Sequence, residues 1–370
     1  MIATTMAGLE PVLQAELEAM GAGEVTPLKR AVSFTGDKTL QYKANYTLRT
    51  ALRVLQPLLR FEARNEKALY QGMRQIEWRQ FLDVNGSLAI EPVVTGEVFK
   101  HSQYAAQLAK DAIVDQFREQ YGKRPDVNLV APHLRIHLRI HQENVVVSLD
   151  SSGDSLHRRA YRRDTVAAPL NEVLAAGMIA LSGWNPDDGP FADPMCGSGT
   201  LPIEAALLAS NRPIQQLRER FGFERWPDFD AKLWKAVKKE ADDAERPIPY
   251  PILASDIDPR ARNATSINAM SAGLENIIRI QKLPFEQVTP PEPPGTLIIN
   301  PPYDERMPLD DAIVFYKNIG DRLKQNWKGW NAWVLSGHKE ALKHVGLKAG
   351  RKISLLNGAI ECGFHQFEVY

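Results

Sequence analysis

Near the C-terminal third of the chain, the apolar run Thr296-Leu297-Ile298-Ile299 leads straight into Asn300-Pro301-Pro302-Tyr303. Proline lacks a backbone N–H, so Pro301 and Pro302 end a strand and remove two donors. What remains is a stiff lip rich in acceptors, the Asn300 amide and the nearby carbonyls, followed at once by an aromatic ring. Such a set suits a planar exocyclic amine, whose N–H bonds need acceptors and whose ring needs a plate to stack on. A Pro-rich turn after a buried strand would carry the same residues, so the lip takes its meaning from what stands upstream.

Upstream, Phe191-Ala192-Asp193-Pro194-Met195-Cys196-Gly197-Ser198-Gly199-Thr200 runs into the helix former Leu201 to Leu208. A short strand, a Gly-x-Gly turn and a helix N-terminus let the backbone approach a ligand with free N–H groups. The spacing is not that of the dinucleotide fingerprint, since Pro202 stands where its third glycine belongs. Asp193 would repel a pyrophosphate and suits a ligand with an ammonium group instead. Next, Ile252 to Ser255 reads as a strand ending in Asp256-Ile257-Asp258, followed by a helix from Arg262 to Ala272 closed by Gly273. A carboxylate at the tip of a second strand is the usual clamp for ribose hydroxyls. Asp256 has that role here, with Asp258 free to cap the helix.

The composition is that of an ordinary globular protein, 44% hydrophobic and 24% charged in 370 residues, enough for two or three cores. No apolar run reaches transmembrane length, and the start lacks the pattern of a secretory signal. Cys196 and Cys362 alone argue against a disulfide framework or structural zinc and fit a cytoplasmic protein. With no His close in sequence, Cys196 reads as a small turn residue rather than a nucleophile. Formal charge is zero overall, but residues 1–163 hold 22 Lys and Arg against 18 Asp and Glu. Within that half, Arg158, Arg159, Arg162 and Arg163 surround Tyr161 and follow His157. Four guanidiniums and an aromatic ring suit phosphate contact and base stacking, and a solvated charge run is the plainer alternative. Arg306, just beyond the lip, joins this RNA-binding set.

The chain divides into an α+β unit at 1–65, a second at 66–150, a basic linker at 151–164 and an α/β domain at 165–370. The first reads as a helix from Gly8 to Met20, a strand from Ala31 to Thr35 and a helix from Leu40 to Leu59 interrupted by Pro57. In the second, a helix spans Gln103 to Tyr121 and a strand Asp126 to Val130. Leu134 to His141 alternates aliphatic with cationic residues, which places Arg135, His137, Arg139 and His141 on one open face. In the α/β domain, strands follow at Ile277 to Gln281, Leu297 to Ile299 and Asn331 to Ser336, and Asn357-Gly358 closes a terminal hairpin. The insertion at 209–250, with Phe221, Phe223, Trp226, Phe229 and Trp234, reads as the core of a helical lid.

These motifs, in this order, resemble a class I S-adenosylmethionine methyltransferase. Gly8-Leu9-Glu10, Ser155 to Arg162, Asp193 to Thr200, Phe221 to Trp226, and Asn357-Gly358 with Glu361-Cys362 resemble the RlmL-type, THUMP-domain 23S rRNA guanine-N2 methyltransferases. The resemblance implies an α/β fold, a class I Rossmann-like domain with a mostly parallel seven-stranded sheet, preceded by an α+β ferredoxin-like and THUMP region that captures RNA. It implies S-adenosyl-L-methionine bound by Asp193, Pro194, Cys196, Gly197, Ser198, Gly199, Thr200, Asp256, Ile257 and Leu283, with Asn171 as a further candidate. It implies catalysis by Asn300, Pro301, Pro302 and Tyr303, no metal, and 23S rRNA or an assembling large ribosomal subunit as partner, with neither a membrane nor an obligate protein partner indicated. Many class I enzymes have an Asp after the third strand to meet adenine; Lys282-Leu283-Pro284-Phe285 stands here, which leaves the ring to backbone groups and Phe285 or Leu283.

On this reading the Asn300 side-chain carbonyl and the Pro301 backbone carbonyl accept the two N–H bonds of a flipped guanine amine, and Tyr303 stacks on the base. The proton leaves to water, so no catalytic His is required. Because the chain ends at Tyr370, soon after the hairpin, one product is expected. Adenine N6 or cytosine N4 in DNA or RNA, and guanine in tRNA, are the related substrates. A ribosome-assembly factor without activity is disfavoured by the intact Asn300 and Asp193, and a nicotinamide oxidoreductase by Asp193 and the missing glycine.

Overall fold

The computed structural model describes residues 1–166, 169–302 and 308–370. The N-terminal strands are β1 (Ile2–Thr4), β2 (Gly23–Leu28), β3 (Ala31–Thr35), β4 (Arg53–Glu62), β5 (Ser87–Thr95), β6 (Asp126–Val127), β7 (Leu134–His141) and β8 (Asn144–Asp150). Helices α1 (Glu10–Ala19), α2 (Lys38–Thr47), α3 (Glu66–Met73) and α4 (Ser102–Tyr121) accompany them. All eight strands form one sheet, in the order β2-β3-β1-β4-β8-β7-β5-β6. The two N-terminal units expected from sequence therefore share a sheet, because β4 pairs with β1 on one side and β8 on the other.

Local chemistry explains the elements. The Asp37 carboxylate accepts the Leu40 N–H at 2.9 Å and starts α2. That helix stops at Thr47, and the chain continues as β4, which corrects the single helix expected from Leu40 to Leu59. Pairing of β4 with β1 and β8 takes the rest of the stretch into the sheet, and Pro57, which has no N–H to give a helix, sits where the β4–β8 register shifts. The strand expected from Asp126 to Val130 is only two residues long, because the Asn128 side chain accepts the N–H groups of Val130 and Ala131 and turns the chain. In β7 the alternation holds fully: Leu134, Ile136, Leu138 and Ile140 are all buried. The other face is less open than expected. Arg135 pairs with Glu91 at 3.3 Å, and burial drives the His137 pKa down to about 4.

The C-terminal half holds α5 (Glu172–Ser182), β9 (Phe191–Asp193), α6 (Thr200–Ala209), α7 (Ala231–Asp243), β10 (Ile252–Ser255), α8 (Pro259–Ser271), β11 (Ile278–Gln281), β12 (Thr296–Ile299), α9 (Leu309–Asn326), β13 (Asn331–Ser336), α10 (Lys339–Leu342), β14 (Ala349–Asn357) and β15 (Ile360–Glu368). Its sheet runs β11-β10-β9-β12-β13-β15-β14, parallel as far as β13, with β15 antiparallel between β13 and β14. Apolar clusters cover both faces, one including α5 and α6, the other α9. Two buried faces explain why β12 reads as a continuous aliphatic run. No helix among the described residues is long and apolar enough to cross a membrane.

The two halves share their interiors. Leu9, from the N-terminal half, is fully buried in the core of the C-terminal half, against Gly177 of α5. A Cβ at Gly177 would come within 2.5 Å of the Leu9 methyl carbons, so glycine is needed there for close approach. In the opposite direction, Phe221, Phe223, Trp226 and Trp234 enter the N-terminal core. Phe223 stacks on Tyr42 at 4.3 Å, and Trp234 meets Tyr46 edge-on at 5.3 Å. The expected helical lid is thus a buttress, since these rings find their apolar partners on α2.

Leu9→Ala should cost about 2–4 kcal/mol, the usual price of a buried leucine truncation. It should lower the denaturant midpoint of the whole chain, and a change below about 1 kcal/mol would show that the two halves are not cohesive at this contact.

Candidate active site

Strand order reverses between β9 and β12: β10 and β11 lie on one side, β13 on the other. Ligands in open α/β sheets bind at such a reversal, beyond the carboxyl ends of the strands. Asp193 ends β9 and Asn300 follows β12, and the pairing of Ala192 with Leu297 sets the two ends side by side. Asp256, two residues past the Asp193–Ala254 level, stands on the far side of β9.

The glycine loop is built tightly between these ends. The Gly199 N–H reaches the Cys196 carbonyl at 2.8 Å, and the Cys196 N–H reaches the Ser255 carbonyl at 2.9 Å. Gly199 has φ of 85°, and a Cβ there would lie 2.7 Å from the Thr265 methyl, so only glycine fits. Asp256 accepts the Gly197 N–H at 2.9 Å through one oxygen and the Asp258 N–H at 2.9 Å through the other. It therefore braces the loop from the second strand. Asp258 caps α8 through the Arg260 N–H. Asp193 is buried, accepts the Met195 N–H at 3.1 Å and has no cationic partner among the described residues. Burial, helped by the nearby Asp256 charge, pushes its carboxyl pKa well above the usual range. Burial also raises the Cys196 thiol, which is inert as a nucleophile. Ile257 is exposed, and the Leu283 carbonyl accepts the Ser255 hydroxyl at 2.7 Å. Phe285 packs inside, 6.1 Å from Trp327 between ring centres, and is removed from the adenine candidates.

The basic linker is corrected most. Arg159 and Glu204 of α6 form an ion pair at 3.3 Å, and both side chains are fully buried. Tyr161 is also buried and gives its hydroxyl to Glu204 at 3.1 Å. Neither can grip RNA. Arg162 holds Glu172 at 2.8 Å, Ser198 Oγ at 3.0 Å and Thr200 Oγ1 at 2.9 Å. It is a strut for the glycine loop, and its guanidinium is used up there. Arg158 and Arg163 are exposed, with Arg163 Nε 3.3 Å from Ser271. Asn268 of α8 completes the fastening: it accepts the Arg163 and Asp164 N–H groups and donates to the Asp164 and Ser198 carbonyls. The helical register of α8 alone gave no sign of this role for Asn268. Asn171 caps α5 through the Val173 and Leu174 N–H groups.

Asn300 carries the clearest unmet demand. Among the described residues its buried Oδ1 has no hydrogen-bond partner, and neither has Gln281 Oε1 at the end of β11. Buried acceptors in native proteins nearly always have a partner, so an orphan at a strand end is a place for a ligand donor. Gln281 was legible only as the last residue of a strand. Pro301 is buried and Pro302 exposed. Tyr303 and Arg306 lie outside the described residues. Among the described residues, no group of three or more His, Cys, Asp or Glu side chains could hold a metal ion.

Comparison with known proteins gives three domain matches: an RMKL-like methyltransferase domain over residues 159–366, an RlmL ferredoxin-like domain over 1–55 and a THUMP domain over 63–150. A Synechocystis protein named as an RNA methyltransferase is 38% identical over all of this chain and 96% of its own length. The ribosomal RNA large subunit methyltransferase K/L of Methylococcus capsulatus is 39% identical over 99% of this chain. The chain spans about half, 51%, of that relative's length. Among solved structures, the methyltransferase SMU.472 in complex with S-adenosylhomocysteine superposes with a TM-score of 0.90 at 29% identity, covering 100% of this chain and 97% of its own. TrmN from Thermus thermophilus has the same fold, with a TM-score of 0.72 at 20% identity over 100% of this chain and 99% of its own.

Two substitutions test the geometry. Arg159→Met should leave Glu204 buried and unpaired and destabilise the fold by about 3–5 kcal/mol. RNA affinity of the folded fraction, read by filter binding, should stay unchanged; a fall in affinity at full stability would return Arg159 to the RNA surface. For Asp193 the folded pKa is raised, so the native state holds its proton more tightly than the unfolded chain. Stability is then lost as pH climbs from the unfolded value towards the folded one. Asp193→Asn should therefore melt higher than the parent protein at neutral pH, with the gap closing towards pH 4, while S-adenosylhomocysteine affinity falls by roughly 1.5–3 kcal/mol. Equal melting at every pH would show that Asp193 is not strained by its burial.

Proposed function

The chain belongs to the RMKL-like methyltransferase family and uses S-adenosylmethionine, and on that premise we propose that it methylates the exocyclic N2 amine of a guanosine in 23S rRNA. The observation that carries this reading is the buried Oδ1 of Asn300 at the strand reversal, without a partner among the described residues. The K/L relatives supply the RNA class, and the THUMP match supplies a module for holding RNA.

The residues present fit the methyl donor. Asp193 is a buried carboxylate lacking a cationic partner among the described residues, which an amino-acid ammonium would supply. Asp256, Ile257 and the loop from Pro194 to Thr200 would hold the ribose and the amino-acid portion, and Gln281 and Leu283 the adenine. When bound, S-adenosylmethionine supplies an electrophilic methyl on a positively charged sulfur.

The chain's own residues do the rest by placement. Asn300 Oδ1 and the Pro301 carbonyl accept the two amine N–H bonds and orient the nitrogen lone pair. Positive charge grows on that nitrogen as its new bond forms, so fixed acceptors stabilise the transition state more than the ground state. Tyr303, outside the described residues, keeps the base-stacking role assigned to it from the sequence. Arg158, Arg163 and Arg306 remain the cationic candidates for the RNA backbone from the original set, while Arg162 keeps the glycine loop in shape.

Asn300→Ala should reduce kcat by about 10²–10³-fold, as for loss of one preorganised hydrogen-bonding partner. Its affinity for S-adenosylhomocysteine by calorimetry should stay within about threefold, because the lost contact is to the amine. The substrate in this assay is rRNA from cells lacking the protein, with tritiated methyl incorporation mapped to the nucleoside. Methylated guanosine at N2 is the expected product. N6-methyladenosine as the only product would overturn the nucleobase assignment, and full activity in the mutant would overturn the site.

A further inference from the structure

The strand β13, beside β12, leads to a further unmet polar atom at the same end of the sheet. His338 follows β13 by two residues, and its buried Nε2 has no hydrogen-bond partner among the described residues. Ile299 pairs with Val334 in the parallel β12–β13 ladder, so Asn300 is level with Leu335 and both chains leave the sheet over the same edge. Adjacent strands lie about 4.8 Å apart, less than the width of a purine. The backbone that bears the imidazole is fixed. The His338 N–H donates to Ser336 Oγ at 2.9 Å, and the same oxygen accepts the buried Tyr316 hydroxyl at 2.6 Å. The His338 carbonyl then accepts the Leu342 N–H at 3.0 Å and opens α10. A side chain so well anchored through its main chain, yet leaving a buried ring nitrogen unused, is suited to a partner that arrives with the substrate.

We propose that His338 is a specificity-determining residue, its Nε2 forming a hydrogen bond to the Watson–Crick edge of the target guanine beside the amine held by Asn300; this rests on the guanine-N2 reading. Next to N2, guanine presents N1–H as a donor and O6 as an acceptor. A neutral imidazole nitrogen meets either one, according to its tautomer. The contact distinguishes a guanine from another purine that carries the same amine but lacks both groups. A site with a buried polar atom discriminates strongly against an analogue that leaves that atom unpaired, whereas shape alone discriminates weakly.

2-Aminopurine is the analogue that isolates the contact, because it keeps the N2 amine and has neither N1–H nor O6. The experiment compares an rRNA fragment carrying guanosine at the mapped site with the same fragment carrying 2-aminopurine there. The parent protein should prefer guanine in kcat/KM by about 10²-fold or more, and His338→Ala should bring the ratio to within about tenfold by slowing the guanine substrate alone. His338→Gln, which restores a polar atom near the position of Nε2, should recover much of the preference. Calorimetry with S-adenosylhomocysteine checks that each variant is folded and binds its cofactor as the parent does. A preference unchanged in His338→Ala, or absent from the parent protein, would overturn the proposal. Failure of the parent protein to methylate the guanine fragment at all is a different result, which removes the guanine-N2 reading itself and this inference with it.

Discussion

The buried Arg159–Glu204 pair is the constraint on which the arrangement of the molecule depends. Both side chains are fully buried, and they come from the linker and from α6, the helix that follows the glycine loop. The Arg159 guanidinium also donates to the Leu156 carbonyl and to the Arg49 carbonyl at the end of the N-terminal α2 segment. Arg49 in turn donates to the Leu207 and Arg212 carbonyls, at 3.1 Å each. Charges like these are costly to remove from water, and here Glu204 Oε2 and one Arg49 guanidinium nitrogen are left without a partner among the described residues. Burial pushes the Glu204 pKa up even with Arg159 beside it, a sign that desolvation outweighs the partner's attraction. The pair therefore contributes orientation more than stability. It couples the placement of the N-terminal sheet to the placement of the loop.

The glycine loop inherits its shape from the same linker. Arg162 bonds to Ser198 and Thr200, and Asn268 ties Asp164 to Ser198. Two separate segments thus hold the loop, one on each side, while Asp256 takes the Gly197 N–H from below. A loop held in this way presents its groups without reorganising, which is how a site favours reaction by position. The same fixing leaves Asp193 and Asn300 with unmet needs, a buried carboxylate and a buried carbonyl oxygen.

What could be read from the residues alone follows a physical divide. Periodicity and turn chemistry are local, so β3, β7 and β13 fall where the alternation and apolar runs put them, at Ala31–Thr35, Leu134–His141 and Asn331–Ser336. The Asn357-Gly358 hairpin is equally plain, since its turn residues carry the signal. Partners across the chain are not local. Nothing in Arg158-Arg159-Ala160-Tyr161-Arg162-Arg163 tells which guanidinium meets a buried acid contributed from 45 residues away. Charge density resembles a phosphate grip whether or not the fold has already spent the charges. The aromatic insertion failed to read for the same reason: its rings are apolar in any setting, and only Tyr42 and Tyr46 on α2 decide that they form a buttress. The stretch from Leu40 to Leu59 shows a third limit, where helix-compatible residues before and after Thr47 are divided by tertiary pairing of β4.

The linker's chemistry bears on how an RNA-holding module and a reaction centre can work together across one chain. If the two halves swung freely, energy gained by holding RNA remotely would be dissipated in their relative motion and could not help extract a base from its stack. Here Leu9 is set into the C-terminal core, Phe223 and Trp234 into the N-terminal one, and a buried ion pair closes the seam. Interlocking in both directions resists hinge motion more than one contact of equal area, because any rotation must withdraw apolar groups from two cores at once. Arg159 and Arg162, drawn from a cluster that looked suited to hold RNA, serve this coupling instead: one closes the seam between the halves and the other fastens the glycine loop.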